Sequence, residues 1–290
     1  MKLRHSETET AVVIDVGATR TEAGFGGWKD RPEPVRVEET PDTCDGLVET
    51  LRRLTDELVD EARSSGRDVS AVAVGVPGLV DNEGVLVEAP HTSFGDIELS
   101  DELNLDVPIV VENDANAQAL GCARLSGTDC LCYIALGTGI GGGIIQSGEL
   151  VRGADSFAGE VGHISVPASS FSDRLCACGQ SGCLETVASG EYLRTSLGDS
   201  WWERELTSDE ERVVKHAGEA VGEAVSVLAV LNSPESIIVT GKLATRERFV
   251  AGMKDRRNYS WSDCSLKTYQ DTWQFAREGL TKLGRQATEK

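Results

Sequence analysis

Three cysteines and one histidine lie close together in a glycine-rich part of the chain. The cysteines are Cys176, Cys178 and Cys183 in CACGQSGCLE, and His163 ends the preceding segment GEVGH. Thiolate and imidazole groups are the ligands of tetrahedral structural zinc, and four of them complete a site. The alternative is a group of reduced, buried cysteines without a metal. Ligand type and spacing favour zinc, so the sequence predicts a zinc site at these four side chains.

Two carboxylates bracket this Cys₃His set. Glu160 precedes His163 by three positions, and Glu185 follows Cys183 by two. Four ligands already saturate a structural zinc ion, so neither carboxylate is needed to hold the metal.

Two small, glycine-containing turns follow predicted strands and are candidates for phosphate binding. The first holds Asp15, Gly17 and Thr19, which offer backbone N–H groups, a hydroxyl and a carboxylate suited to Mg²⁺. The second, in LGTGIGGG, holds Thr138 and Gly139 and lets the backbone close on an anion. Ordinary tight turns between strands share this composition. One such turn in each half of the chain favours a nucleotide bound in a cleft between the halves.

The segment ENDAN follows a predicted strand, at the end where open α/β sheets place their sites. Asp114 within it has two interpretations. Aspartate is favoured as a helix N-cap, which is a structural role. A carboxylate here could also act as a general base that takes a proton from an attacking hydroxyl.

Strands and helices alternate in the order expected of an α/β fold. The predicted strands and helices are residues 11–26 (strand, turn, strand), 44–63 (helix), 71–77 (strand), 108–113 (strand leading into a helix), 130–137 (strand), 210–231 (helix) and 236–241 (strand). We expect an N-terminal lobe at 1–126 and a larger lobe at 127–290, with the zinc segment at 163–183.

The charge balance excludes several classes of partner. The 290 residues carry a net charge of −20, and 40% are hydrophobic, enough for a large core. Nucleic acid and anionic membranes would be repelled. Lysine is scarce before position 242, which is typical of a halophilic protein kept soluble in high salt; an ordinary acidic protein is the alternative.

The N-terminus lacks an apolar signal segment, and no run is long and apolar enough to span a membrane. The scattered cysteines outside the zinc set suit a reducing compartment. The sequence therefore predicts a cytoplasmic protein.

The tail at 242–290 differs in charge from the rest of the chain. Residues 1–241 hold 17 basic and 42 acidic side chains, a net charge of −25, whereas the tail holds 11 and 6, a net charge of +5. A basic surface helix would explain this, as would a shifted reading frame or a replaced C-terminus.

Taken together, the motifs resemble those of the ROK family of sugar kinases and related repressors. They are DVGAT, GVPG, ENDAN, LGTGIGGG, AGEVGH and CACGQSGCLE, spread from about residue 11 to 241. The resemblance implies an α/β, actin-like (ribonuclease H-like) ATPase fold with two lobes around a cleft. It implies ATP-dependent phosphorylation of a hexose, most simply by a glucokinase, and assembly as a homodimer or homotetramer.

The same resemblance implies a role for each matching residue. Asp114 corresponds to the catalytic base, and His163 with the three cysteines to the zinc ligands. The positions corresponding to sugar contacts are Gly78, Asn113, Glu160, His163 and Glu185. The positions corresponding to Mg-ATP contacts are Asp15, Gly17, Thr19, Thr138, Gly139 and, at the adenosine, Gly241.

The chain departs from the family pattern at a few positions, and other functions remain open. His91 stands where the family commonly has a sugar-contacting asparagine, and Gly241 stands where paired glycines are usual. An N-acetylmannosamine kinase or a fructokinase is an alternative to a glucokinase. A sugar-responsive repressor is a second class, disfavoured by the charge, and a sugar binder without kinase activity is a third.

Overall fold

A computed structural model describes residues 9–30, 32–89, 94–166, 174–256 and 264–289. His91, the departure at the expected sugar position, lies outside these ranges. The chain divides into two compact units. Unit 1 is Met1–Gly127, Arg152–Phe157 and Trp273–Lys290, and unit 2 is Thr128–Val151 and Ala158–Thr272. No helix in the described ranges is long and apolar enough to cross a membrane.

Unit 1 is built around a five-stranded sheet in the order β3-β2-β1-β4-β8. Its strands are β1 (Glu9–Val16), β2 (Arg20–Gly26), β3 (Arg36–Glu39), β4 (Asp68–Val76), β5 (Leu79–Val80), β6 (Leu86–Glu88), β7 (Gly95–Ile97) and β8 (Ile109–Asn113). Its first helices are α1 (Cys44–Ser64), α2 (Leu99–Leu103) and α3 (Asp114–Ser126). The short strands β5, β6 and β7 form a separate three-stranded sheet.

Sequence pattern accounts for the central elements of unit 1. The apolar β1 is almost entirely buried, as expected for a strand covered on both faces. Helix α1 begins after Thr43, whose hydroxyl accepts the N–H of Gly46. Its leucines recur at helical spacing, and Leu47, Leu51 and Leu58 are fully buried against the sheet. The predicted helix at 44–63 is confirmed.

Unit 2 holds a second five-stranded sheet, in the order β11-β10-β9-β12-β13. Its strands are β9 (Leu131–Leu136), β10 (Ile140–Gln146), β11 (Glu149–Leu150), β12 (Ser236–Thr240) and β13 (Ser265–Tyr269). Its helices are α4 (Glu185–Ala188), α5 (Gly190–Leu197), α6 (Ser208–Asn232) and α7 (Glu247–Arg256), with 3₁₀ turns at Val161–His163, Trp201–Glu203 and Lys242–Thr245.

The two sheets have the same topology. In each, the first three strands form an antiparallel meander, and two later strands extend the sheet in parallel from the first strand. The carboxyl ends of the parallel strands β1, β4 and β8 therefore lie along one edge in unit 1. Those of β9, β12 and β13 do so in unit 2. In open α/β sheets this edge carries the functional groups.

The basic tail is folded into both units. Helix α7 packs on α6 in unit 2, and the last helix, α8 (Trp273–Thr288), packs on α3 and the sheet of unit 1. Phe249 and Leu280 are fully buried, so the tail is not a surface helix. The expected division at residue 126 misses this return of the chain, and it also misses Arg152–Phe157, because both depend on contacts distant in sequence.

Glycines bring the tail helices into backbone contact with their neighbours. A Cβ on Gly279 of α8 would lie 1.7 Å from the Ala117 carbonyl oxygen of α3, and one on Gly121 would lie 1.8 Å from the Phe275 carbonyl oxygen. Only residues without a Cβ permit this approach. Glycines on both helices therefore allow α8 to pack closely on α3.

Candidate active site

Asp114 is the first residue of α3, but it does not cap the helix. Asn113 is the N-cap, and its Oδ1 accepts the N–H of Asn116 at 2.9 Å. The capping role considered for Asp114 is therefore wrong. Asp114 Oδ1 accepts the N–H of Ala115 at 2.8 Å, and the side chain remains partly exposed.

The surroundings of Asp114 raise the pKa of its carboxyl group, so that the group titrates near neutral pH. Desolvation raises the pKa of this carboxyl from 3.8 to about 7, and hydrogen bonds from the N–H groups of Ala115 and Asp114 only partly offset this. A carboxylate with a pKa near the working pH can both accept and release a proton efficiently. The geometry and the pKa suit a general base.

Asp15, the last residue but one of β1, lies beside Asp114. Gly75 of β4 lies between them, since a Cβ there would lie 3.1 Å from Asp15 Oδ1 and 3.5 Å from the Asp114 Cα. Burial raises the pKa of Asp15 well above its usual range, and the charges of Asp114 and Glu22 add to the effect. Burial therefore disfavours the charged forms of two neighbouring carboxyl groups.

One oxygen of Asp15 provides a test of whether this site suits Mg²⁺. Oδ2 accepts a hydrogen bond from Gln118 Nε2 at 3.2 Å, whereas the buried Oδ1 has no hydrogen-bond partner in the described part of the chain. Buried polar oxygens are rarely left unpaired. Mg²⁺ bound through one carboxylate, or a water on it, would satisfy this atom, so the residue fits the ion.

The turn after Asp15 is a tight hairpin between β1 and β2. The Gly17 N–H donates to the Arg20 carbonyl at 2.9 Å, and Thr40 Oγ1 donates to the Gly17 carbonyl at 2.7 Å. Thr19 lies exposed at its tip. The structure thus places Asp15, Gly17 and Thr19 at one sheet edge, and their phosphate contacts stay a prediction.

Asn113 connects the start of α3 to Gly78. Its Nδ2 donates to the Gly78 carbonyl at 2.9 Å. Gly78 has a φ of +114°, and a Cβ there would lie 2.2 Å from the Glu88 carbonyl oxygen, so only glycine fits. These two positions, both expected at the sugar, are therefore in contact.

An ion pair between the buried Glu112 and the partly exposed Arg152 was not predicted from the sequence. Glu112 Oε2 lies 2.5 Å from an Arg152 nitrogen, while Glu112 Oε1 accepts hydrogen bonds from the Asn113 N–H and from Asn116 Nδ2. Glu112 is 1% exposed. An acidic residue within an apolar strand, with an arginine at the start of Arg152–Phe157, was the available signal, because buried charges need partners.

In unit 2 the four expected zinc ligands come together. Their ligand atoms lie within 4.8 Å of one another, with His163 Nδ1 3.5 Å from Cys176 Sγ and Cys178 Sγ 3.6 Å from Cys183 Sγ. Zinc bonds of about 2.3 Å to sulfur and about 2.1 Å to nitrogen place tetrahedral ligand atoms about 3.6–3.8 Å apart. The donor set and spacing fit zinc.

The cysteines are presented by a short, tight loop. The Cys176 N–H donates to the Gln180 carbonyl at 2.7 Å, and an isolated bridge pairs Cys183 with Ser165, two residues after His163. Burial raises the pKa of the Cys183 thiol to about 12, whereas the Gln180 N–H lowers that of Cys178. Zinc at this site would therefore displace protons from its ligands.

His163 has its two nitrogens directed at different partners. Nδ1 faces the cysteine sulfurs, and Nε2 lies 4.0 Å from Glu160 Oε2. A metal on Nδ1 would hold the ring and leave Nε2 as a hydrogen-bond donor beside this carboxylate. Glu185 begins α4, is 9% exposed, and accepts the Ile140 N–H at 2.8 Å.

The second phosphate-type turn and Gly241 lie at the same sheet edge of unit 2. Thr138 and Gly139 form the turn between β9 and β10, where the Gly137 N–H donates to the Gly139 carbonyl at 3.0 Å. Gly241 follows β12, which pairs in parallel with β9. The structure therefore brings together the three unit 2 residues expected at ATP.

Comparisons with known proteins identify the class. The ROK family glucokinase of Streptomyces griseus, solved with glucose and AMPPNP, superposes with a TM-score of 0.78 at 28% identity, covering 96% of this chain and 99% of that one. The fold is the α/β, actin-like ATPase fold of ROK glucokinases.

Sequence comparison agrees. The sequence model of the ROK family matches residues 11–261, so the chain belongs to the ROK family. It is 30% identical over 265 residues to a glucokinase of Halalkalibacterium halodurans, with 79% of each chain covered. It is 31% identical over 207 residues to the xylose repressor of Caldicellulosiruptor bescii, a match over 66% of this chain and only 51% of that protein. The family relatives thus include sugar kinases and repressors.

Proposed function

We propose that the protein is an ATP-dependent hexose kinase, and specifically a glucokinase. The main support for this proposal is the placement and pKa of Asp114. This residue begins α3 without serving as its N-cap, its carboxyl has a pKa near 7, and it lies beside Asp15. A structure relative solved with glucose and AMPPNP supports the choice of substrates.

In the proposed reaction Asp114 accepts the proton of the glucose 6-hydroxyl. The hydroxyl oxygen then forms a bond to the γ-phosphorus of ATP, and the bond from this phosphorus to the bridging oxygen breaks to release ADP. Mg²⁺, when bound, neutralises charge on the phosphates, and Asp15 holds it or its water. Gly17 and Thr19 of unit 1 bind phosphate oxygens through their turn.

In unit 2, Glu160, His163 and Glu185 are proposed to bind sugar hydroxyls. In unit 1, Asn113 and Gly78 are the proposed sugar contacts. Zinc on His163 and the three cysteines supports this wall and takes no part in the chemistry. Thr138 and Gly139 bind phosphates and Gly241 the adenosine. A buried carboxylate that loses its hydroxyl partner is costly, so these acceptors discriminate against deoxy sugars.

The test is a coupled assay of the purified protein with MgATP against glucose, N-acetylmannosamine, mannose, fructose and xylose, in low and molar KCl. A glucokinase has its highest kcat/KM with glucose. A higher kcat/KM with N-acetylmannosamine or fructose would replace the glucokinase assignment by one of those kinases.

Sugar sensing without catalysis is the second candidate, and the resemblance to xylose repressors favours it. Calorimetry that detects sugar binding while the assay detects no ADP would support this candidate. A gel shift with genomic DNA at low and high salt tests the repressor class, and we expect no shift because the net charge is −20.

A further inference from the structure

The chain that follows the zinc cysteines holds the turn between β9 and β10. Three hydrogen bonds join these two segments: Ile140 N–H to Glu185 Oε2 at 2.8 Å, Gly190 N–H to the Gly137 carbonyl at 2.9 Å, and Glu191 N–H to the Thr138 carbonyl at 3.0 Å. Two of them are backbone bonds that many sequences could form. The bond to Glu185 depends on one side chain.

The Glu185 bond is of the strong kind. The carboxylate is buried and accepts a backbone N–H, and hydrogen bonds to charged acceptors are about twice as strong as neutral ones. Glu185 also lies two positions after Cys183, whose sulfur belongs to the predicted zinc set. One side chain thus links the zinc segment to the backbone of the turn.

The turn needs such support because it has few side chains of its own. The turn and the start of β10, residues 137–143, read GTGIGGG, and glycine backbones lose the most conformational freedom when they are ordered. A turn held in its binding conformation before the ligand arrives saves that entropy at binding.

We propose that Glu185 is a positioning residue for the phosphate-binding turn, acting through the Ile140 N–H, in addition to any contact with sugar. This inference rests on the proposed function, which places ATP phosphates at Thr138 and Gly139. It assigns the zinc segment an effect on nucleotide affinity as well as on sugar binding.

Two conservative variants separate the effect of side-chain length at position 185 from the effect of its charge. Glu185→Asp keeps the charge but withdraws the carboxylate by one methylene, whereas Glu185→Gln keeps an oxygen at the same reach and loses the charge. We expect AMPPNP with Mg²⁺, titrated by calorimetry without sugar, to bind about tenfold more weakly to Glu185→Asp. Binding to Glu185→Gln should be only about threefold weaker, because the amide oxygen keeps a neutral hydrogen bond of about half the strength.

Glu191→Asp is the matched control, because it shortens an exposed carboxylate that pairs with Arg194 and leaves the backbone bond to Thr138 in place. It should leave AMPPNP affinity unchanged. Zinc content and melting curves of all variants show whether each remains folded. In nucleotide-free wild-type protein the Ile140 amide should be strongly protected from hydrogen exchange.

Several results would overturn the inference. These are wild-type AMPPNP affinity in zinc-loaded Glu185→Asp, equal losses in Glu185→Asp and Glu185→Gln, an equal loss in Glu191→Asp, or free exchange at the Ile140 amide. The last needs no variant. If one of these results is found while wild-type protein binds AMPPNP and turns over normally, only the positioning role fails. If wild-type protein does not bind AMPPNP at all, the ATP assignment in the proposed function fails as well.

Discussion

At Asp114 the proposed catalytic role and the cost of burying a charge concern one side chain. Removing the carboxyl from water raises its pKa to about 7, which prepares a base but makes the charged form costly in the folded protein. Because Asn113 supplies the helix cap, α3 does not depend on Asp114 for its start. A carboxylate that the fold does not need, in a costly environment, is typical of a catalytic group.

We predict that Asp114→Asn lowers kcat by about 10²- to 10⁴-fold while glucose affinity by calorimetry stays within a few-fold. In wild-type protein kcat/KM should rise with pH through about 7 and then level, because the base acts deprotonated. Near-normal turnover in Asp114→Asn would contradict the assignment.

The same pKa shift has a consequence for stability. The folded pKa lies above the unfolded value of 3.8, so the folded state binds the proton more tightly between these values. The contribution of Asp114 therefore becomes less favourable as the pH rises from about 4 through 7. We expect Asp114→Asn to melt at a higher temperature than wild type at pH 8, and to lose this advantage at pH 4.

At the scale of single elements, the tail shows how packing decides what charge cannot. Its net charge of +5 suggests that the tail lies on the surface, yet one face of α8 is buried in unit 1. The crossing with α3 depends on Gly121 and Gly279, which no local pattern relates to each other. Each glycine has a role only when both helices are present.

We predict that Gly279→Ala lowers the free energy of unfolding by about 2–3 kcal/mol, because its Cβ would overlap the Ala117 carbonyl. Gly284→Ala in the same helix is the control. Its Cβ would make ordinary contact at 3.4 Å with Ala71, so it should be neutral or stabilise by up to about 1 kcal/mol. Urea unfolding measures both; equal effects would mean that the crossing is not tight.

The zinc segment is the second element with a direct test. We predict about one zinc ion per chain by elemental analysis, and loss of most of it in Cys183→Ser. The thiolate ligands must also be deprotonated, so zinc affinity should fall as the pH falls. Cys44→Ser, outside the cluster, should keep its zinc. If wild-type protein binds no zinc even after reconstitution with zinc, the alternative of reduced, metal-free cysteines would be favoured.

For the whole molecule, the net charge of −20 is the dominant long-range feature. Like charges on one surface destabilise the compact state, and salt screens them, with a Debye length of about 3 Å at 1 M. Adaptation to high salt stays a prediction from the scarcity of lysine. The two identical sheet topologies, in contrast, are a structural fact and place one candidate site edge in each unit.

We predict that the melting temperature rises by several degrees between 0.1 and 2 M KCl, because screening relieves the repulsion. Most of the rise should occur below about 1 M if screening is its cause. A melting temperature that does not change with KCl would favour an ordinary acidic protein.

Much of this protein could be predicted because its chemistry is local in sequence. The four candidate zinc ligands lie within 21 positions, His163 to Cys183, so residue type and spacing predicted the cluster that the structure shows. The same holds for the amphipathic α1 and for the two turns that follow strands, since hydrophobic period and glycine placement depend on neighbouring residues. Motifs of this kind also identified the ROK family, which the comparisons confirm.

Tertiary structure alone decided the features that join residues distant along the chain. The Glu112–Arg152 pair spans 40 positions, the Glu185–Ile140 bond 45, and the return of α8 to unit 1 about 150. Desolvation likewise depends on everything packed around a group, so no sequence motif predicts the pKa of Asp114. Local sequence specifies which groups can react, whereas burial and long-range partners determine their charge and position.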